Sequence, residues 1–348
     1  MGRRKPLEVP AAGFRSIAIL RLSSLGDVIL TLPVVRALRA AWPAAKLHYW
    51  IKEEFADAVR FEPAIDHVRV LEKDARALED IVSMSAELED CDLIVDLHGN
   101  ARTRLLTWRQ RAPVLQTSRY RLRRALWVRA RWLRPQPVPD ARARYAAALA
   151  PLGLGATDVP RLEVGAEAER WAAGTMLAWS PGGVPVALAP GALHATKRWP
   201  EAHWCALDAL LAERGLPRMV FTTAAERRTL PRLAARIDAD PRARWICEPL
   251  PRAAALLSGC AAAVSHDSGM MHAAAARGLK VVALFGSTSP VLGFAPAGEG
   301  HVVLCRNEPC QPCTLHGRER CPLGHFDCMV KLLPAEVDAA VARVLGGS

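Results

Sequence analysis

Short, predominantly apolar runs, each followed by a turn and then by helical periodicity, recur along this chain. Residues 17–22, 46–51 and 92–97 are such runs in the first half, and 186–190, 219–221, 260–264 and 280–285 in the second. Runs without polar alternation are buried on both faces, the condition of a parallel strand covered by helices. The stretches 28–41, 53–60, 102–110, 201–214, 224–237 and 250–258 read as the crossover helices. Right-handed crossovers leave few topologies open, so the pattern predicts an α/β chain with two Rossmann-like halves.

A stretch rich in glycine and proline, 151–183, separates the halves and reads as the linker region. The expected division is 1–165, 166–333 and a last amphipathic helix in 334–348, with a ligand cleft between the two halves. Lysine and arginine number 46 against 35 acidic residues, a net charge of +11. That excess suits an anionic partner, or else reflects arginine on solvated faces. Arg119 to Arg144 concentrates arginine among Tyr120, Trp127, Trp132 and Tyr145. The N-terminal Gly2-Arg3-Arg4-Lys5 is followed by Pro6, Glu8 and Pro10 rather than an apolar core, so no signal peptide is read there. No uncharged run approaches the roughly 20 residues that span a bilayer. A cytoplasmic protein is expected, and its nine cysteines are then thiols or metal ligands rather than disulfides.

Four constellations carry chemistry. Ser265-His266-Asp267-Ser268-Gly269-Met270-Met271-His272 follows a strand and opens a small-residue helix. Ligands bind at the carboxyl ends of parallel strands, and the Ser268 and Gly269 amides at a helix N-terminus suit an anion. Asp267 as a cap and His272 as a packed helix histidine are the structural alternatives. In Ser23-Ser24-Leu25-Gly26-Asp27, Gly26 permits close backbone approach and Asp27 is a general base or a capping acid. The turn lacks G-x-G-x-x-G, which argues against a nicotinamide-dependent oxidoreductase. In Pro190-Gly191-Ala192-Leu193-His194-Ala195-Thr196-Lys197-Arg198-Trp199-Pro200, Lys197 and Arg198 suit a diphosphate, with Thr196 as a donor. Last, Cys305, Cys310, Cys313, Cys321 and Cys328 form a cluster in which Cys310-Gln311-Pro312-Cys313 has ligand-pair spacing. A structural metal, buried thiols and redox chemistry are all open to it. A metal or nucleic-acid module is the reading these cysteines and the charge would otherwise allow.

Taken together and in order, these segments resemble glycosyltransferase family 9, the ADP-heptose:lipopolysaccharide heptosyltransferases. The likeness runs through Arg21 to Val28 with Thr31-Leu32-Pro33, Asp92 to Gly99, Pro190-Gly191, Lys197-Arg198-Trp199-Pro200, Asp267 through His272, and Leu284-Phe285-Gly286-Ser287-Thr288-Ser289-Pro290. The resemblance implies a GT-B fold, with two Rossmann-like domains across a cleft and the C-terminal helix packing back on the first. It implies an inverting transfer of heptose from ADP-heptose to the lipopolysaccharide inner core, with no cofactor required for catalysis. Another sugar or a protein acceptor is the alternative within the family. The first domain would bind the acceptor and the second the nucleotide sugar. Asp27 would be the base and Lys197 would neutralise the diphosphate. Ser23, Ser24, Gly26, Thr196, Asp267, Ser268, Gly269 and His272 would line the substrates, and Glu226 would contact the adenosine. The partners implied are donor and acceptor, with peripheral contact at the inner membrane and no nucleic acid. Ser268 stands where threonine is more usual. The first motif is similar to the subgroup that adds the first heptose, and 310–328 to the subgroup that adds the second.

Overall fold

The computed structural model describes residues 7, 9–71, 84–133, 135–156 and 158–346. The N-terminal Gly2-Arg3-Arg4-Lys5 therefore lies outside the described residues. The chain forms two compact units: 1–119 with 141–163, and 120–140 with 164–348. The arginine-rich segment 120–140 belongs to the second unit.

The first unit holds a five-stranded sheet, ordered β3-β2-β1-β4-β5. Its strands are β1 (Ser16–Leu20), β2 (Lys46–Lys52), β3 (His67–Leu71), β4 (Leu93–Asp96) and β5 (Val114–Gln116). All its pairings are parallel. The second unit holds β6 (Val186–Ala189), β7 (Arg218–Phe221), β8 (Ala243–Ile246), β9 (Ala262–His266), β10 (Lys280–Phe285) and β11 (Val302–Cys305). These are also parallel, in the order β11-β10-β9-β6-β7-β8. Winding reverses between β1 and β4 in one sheet and between β6 and β9 in the other, the positions where such sheets leave a crevice at their carboxyl ends.

Several expectations are corrected. Residues 28–41 form two helices, Leu25–Ile29 and Leu32–Ala41, the second with proline in its first turn. Residues 224–237 likewise divide into Ala224–Arg228 and Pro231–Ala239, because proline starts a helix well but cannot continue one. The supposed linker contains helix Ala166–Trp179, packed on helix Leu250–Leu257. The last helix, Pro334–Gly346, buries Val337, Ala340, Val341 and Val344 in the core of the second unit with Trp204, Val282 and Leu284. Among the described residues no helix is long and apolar enough to cross a membrane.

One polar element lies inside the second core. Arg218 opens β7 and is 2% exposed; it pairs with Asp208, 1% exposed, at 2.8 Å and with Asp240 at 2.6 Å. Buried charges survive only when paired. Arg218→Met should therefore destabilise the protein by about 3 kcal/mol, because Asp208 is left with only the half-exposed Arg236. Urea unfolding monitored by circular dichroism checks this.

Candidate functional site

In the first unit the turn after β1 leads into the first turn of helix Leu25–Ile29, where Ser24 is the N-cap and Asp27 lies one turn in. Asp27 is therefore not the cap. Its Oδ2 meets the Arg21 guanidinium at 2.6 Å and accepts from Ser24 Oγ at 3.2 Å; its Oδ1 accepts from the Tyr145 hydroxyl at 2.5 Å. Arg21 also donates to Leu97 O at 2.8 Å, so one buried guanidinium ties the loops after β1 and β4 together across the winding reversal. Burial acts to lower the Arg21 pKa, but the Asp27 carboxylate, with Tyr145, Tyr49 and Asp96, leaves it above its ordinary value. Burial raises the Tyr145 hydroxyl, which keeps its proton and stays a donor. Beside it, Asp96 Oδ1 accepts from the His98 and Gly99 amides, and burial pulls His98 down to about 3. Ser23 is half-buried, Ser24 exposed and Gly26 buried. Arg21 and Tyr145 were not singled out as site residues. Tyr145 is 118 positions from Asp27, and only folding brings them together.

The second unit places the other two motifs on either side of its own reversal. Lys197, in the loop after β6, pairs with Asp267 Oδ2 at 2.8 Å and donates to Asp267 O at 2.9 Å. Asp267 directly follows β9, and its Oδ2 also accepts from Thr288 Oγ1 at 2.7 Å. Ser268, rather than Asp267, is the N-cap of helix Gly269–Ala276, and the first amides of that helix face outward along its axis. His272, 5% exposed, sits one turn in. Glu226 caps helix Ala224–Arg228 reciprocally with Thr223. Its carboxylate lies against Gly191, close enough that a Cβ there would displace it.

Three further residues hold the surrounding loops in place. Thr196 is 3% exposed, and its hydroxyl contacts Ser287 Oγ at 2.9 Å and accepts from Arg318 N at 2.8 Å, so it braces the loops around Lys197. Arg198 donates to Ala192 O at 2.7 Å. His266 is fully buried; its Nε2 accepts from Trp199 N at 2.8 Å, so it fastens the lysine loop to β9.

Cys310, Cys313, Cys321 and Cys328 line one cavity of ≈ 200 Å³ with His325. Among the described residues, however, no three His, Cys, Asp or Glu side chains are placed to hold a metal ion. All nine cysteines are free thiols, and burial pushes Cys328 up to about 12. The structural metal considered from the spacing therefore has no support from the placement of these side chains.

A model of glycosyltransferase family 9 (heptosyltransferase) matches residues 81–323. The chain is 30% identical over 327 residues to lipopolysaccharide heptosyltransferase 1 of Pseudomonas aeruginosa, with 85% of each chain covered. Its fold is similar to that of a glycosyl transferase family 9 protein from Veillonella parvula, at 20% identity and TM-score 0.79 over 96% of this chain and 98% of that one. It is also similar to an E. coli ADP-heptose lipopolysaccharide heptosyltransferase II, at 20% identity and TM-score 0.71 over 95% and 98%. The α/β, two-sheet GT-B class expected from the sequence is the fold shared with these structures.

Burial holds His266 neutral, at about 3. The unfolded chain binds a proton there below about pH 6.5 while the fold does not. Stability should be complete above that pH and fall toward pH 3, by at most about 1.4 kcal/mol per unit for each such histidine. His266→Gln should flatten the slope, as read from denaturant midpoints across that range.

Proposed function

The chain belongs to glycosyltransferase family 9, and from that premise we propose that it transfers a heptose from ADP-heptose to the lipopolysaccharide inner core, inverting the anomeric carbon. One observation carries the reading: each sheet sets a charged pair at its winding reversal, with the acid Asp27 on a buried arginine in the first unit and Lys197 beside a helix N-terminus in the second. The first suits proton acceptance and the second suits an anionic leaving group.

An acceptor hydroxyl attacks the anomeric carbon and gives its proton to Asp27. The bond from that carbon to the β-phosphate oxygen breaks, and ADP leaves with the electron pair. Arg21 and Tyr145 fix the carboxylate's orientation, which supports its role as base. Ser23, Ser24 and Gly26 form the acceptor side of the same turn. Negative charge growing on the diphosphate meets Lys197 and the Ser268 and Gly269 amides, aided by the helix dipole. Asp267 acts by holding Lys197, and His272 lies in the same helix opening. Glu226 takes the nucleoside end, a reading supported by its position against Gly191 at the end of β6. The acceptor is borne by a lipid, which puts the enzyme at the cytoplasmic face of the inner membrane.

Asp27→Asn should lower turnover on a heptose-free lipopolysaccharide acceptor by on the order of 10² to 10⁴. It should leave the thermal shift given by ADP-heptose unchanged. Lys197→Met should lower both turnover and that shift, since one lost charge-stabilising donor costs about a hundredfold or more. Retained turnover in Asp27→Asn would remove Asp27 as the base, and no shift with ADP-heptose would remove the donor assignment.

A further inference from the structure

Between residues 97 and 139 the chain carries eleven arginines and no lysine, aspartate or glutamate. The formal charge of the entire chain is +11. The rest of the protein is therefore neutral as a set, and its whole excess of charge resides in this one stretch.

In the first unit the stretch includes helix Ala101–Thr107, started by a capping box between Asn100 and Thr103 at the end of the β4 loop. Thr103, Leu106 and Thr107 face inward and are buried. Arg104, Leu105, Trp108, Arg109 and Arg111 are exposed. Trp108 is 81% exposed and Leu105 50%. Glu87, on the segment that packs against this helix, pairs with Arg69 at 3.8 Å. In the second unit, helix Arg121–Arg129 and the turn after it repeat the composition: Leu122, Trp132 and Leu133 are 76%, 74% and 62% exposed, and Arg121 and Arg129 are exposed beside them.

A large apolar side chain left in water is ordinary when single. Repeated beside arginines, with no acid in the stretch, it has the composition of a surface for the bilayer interface. Tryptophan settles at headgroup level, leucine reaches the acyl boundary, and arginine meets anionic headgroups. A nucleic acid would engage the arginines through phosphates but has no use for Leu105, Leu122 and Leu133. A second copy would set like charge against like.

We propose that Leu105 and Trp108 with their flanking arginines, on the first unit, dock the protein on an anionic lipid bilayer. Helix Ala101–Thr107 starts from the carboxyl end of β4, the same sheet edge that carries Asp27, so docking brings the acceptor side of the first unit to the lipid surface. The surface depends on the proposed reaction only for the acceptor that such a bilayer would present.

Co-sedimentation with vesicles free of lipopolysaccharide tests it. Vesicles of phosphatidylglycerol and phosphatidylcholine should retain the protein, high salt should release it, and phosphatidylcholine alone should not bind. A Leu105→Ser, Trp108→Ser variant should partition at least about tenfold less, since both side chains would lose their burial in lipid. Both residues are exposed, so the variant should keep the wild-type thermal midpoint and wild-type turnover on a delipidated, soluble core acceptor. Equal binding to both vesicle types, unchanged partition of the variant, or capture of duplex nucleic acid in preference to vesicles would overturn the docking surface. Vesicle binding with no heptose transfer would overturn the proposed reaction and leave the docking surface standing.

Discussion

Where a parallel sheet reverses its winding, the loops leaving two adjacent strands run to opposite faces, and the strand ends between them are left uncovered. That constraint acts twice in this chain, and each time a partly buried ion pair occupies the opening. Arg21 spans the first reversal, holding Asp27 on one side and the Leu97 carbonyl on the other. Lys197 spans the second, gripping both the carboxylate and the carbonyl of Asp267. Much of the surrounding polar structure keeps these two spans in place. His266 fastens the lysine loop to β9, Thr288 steadies the carboxylate, Thr196 braces the neighbouring loops, and Tyr145 sets the rotation of Asp27.

The same interaction serves a different purpose deeper in the second unit. Arg218 and Asp208 have side chains 2% and 1% exposed. Asp27 retains 18% exposure and Lys197 15%. A pair closed to solvent can only hold structure together. A pair at the rim keeps one group within reach of a ligand while its partner prevents that group from wandering, which is the preorganisation that charge-stabilising catalysis requires. Exposure, rather than pairing itself, distinguishes the two.

Charge shows a similar division between amount and place. A total of +11 fits many anionic partners. Its confinement to one acid-free stretch, whose arginines flank exposed tryptophan and leucine, narrows the partner to a surface that is both anionic and apolar. The cysteine cluster shows the converse: its spacing allowed a metal, but among the described residues its side chains line one cavity without converging on a common point.

Much of the fold was legible because predominantly apolar runs mark the central strands and glycine-bearing turns mark their carboxyl ends. Asp27, Lys197 and Asp267 could be named from those turns alone. The edge strands β3, β5, β8 and β11 escaped notice because half-exposed edges break the apolar pattern, as the mixed burial of His67–Leu71 and Val302–Cys305 shows. The last helix, Pro334–Gly346, was recognisable by its periodicity, but not the core that would receive its apolar face. Sequence by itself determined the strand–turn–helix units and the chemical types at each turn, since these depend on residues a few positions apart. Only the tertiary structure decided which acid Tyr145 would meet, which loops Thr196 would brace, and that His266 would be held neutral. Those roles follow from contacts and desolvation made across 67 to 118 positions of chain, and no local pattern encodes them.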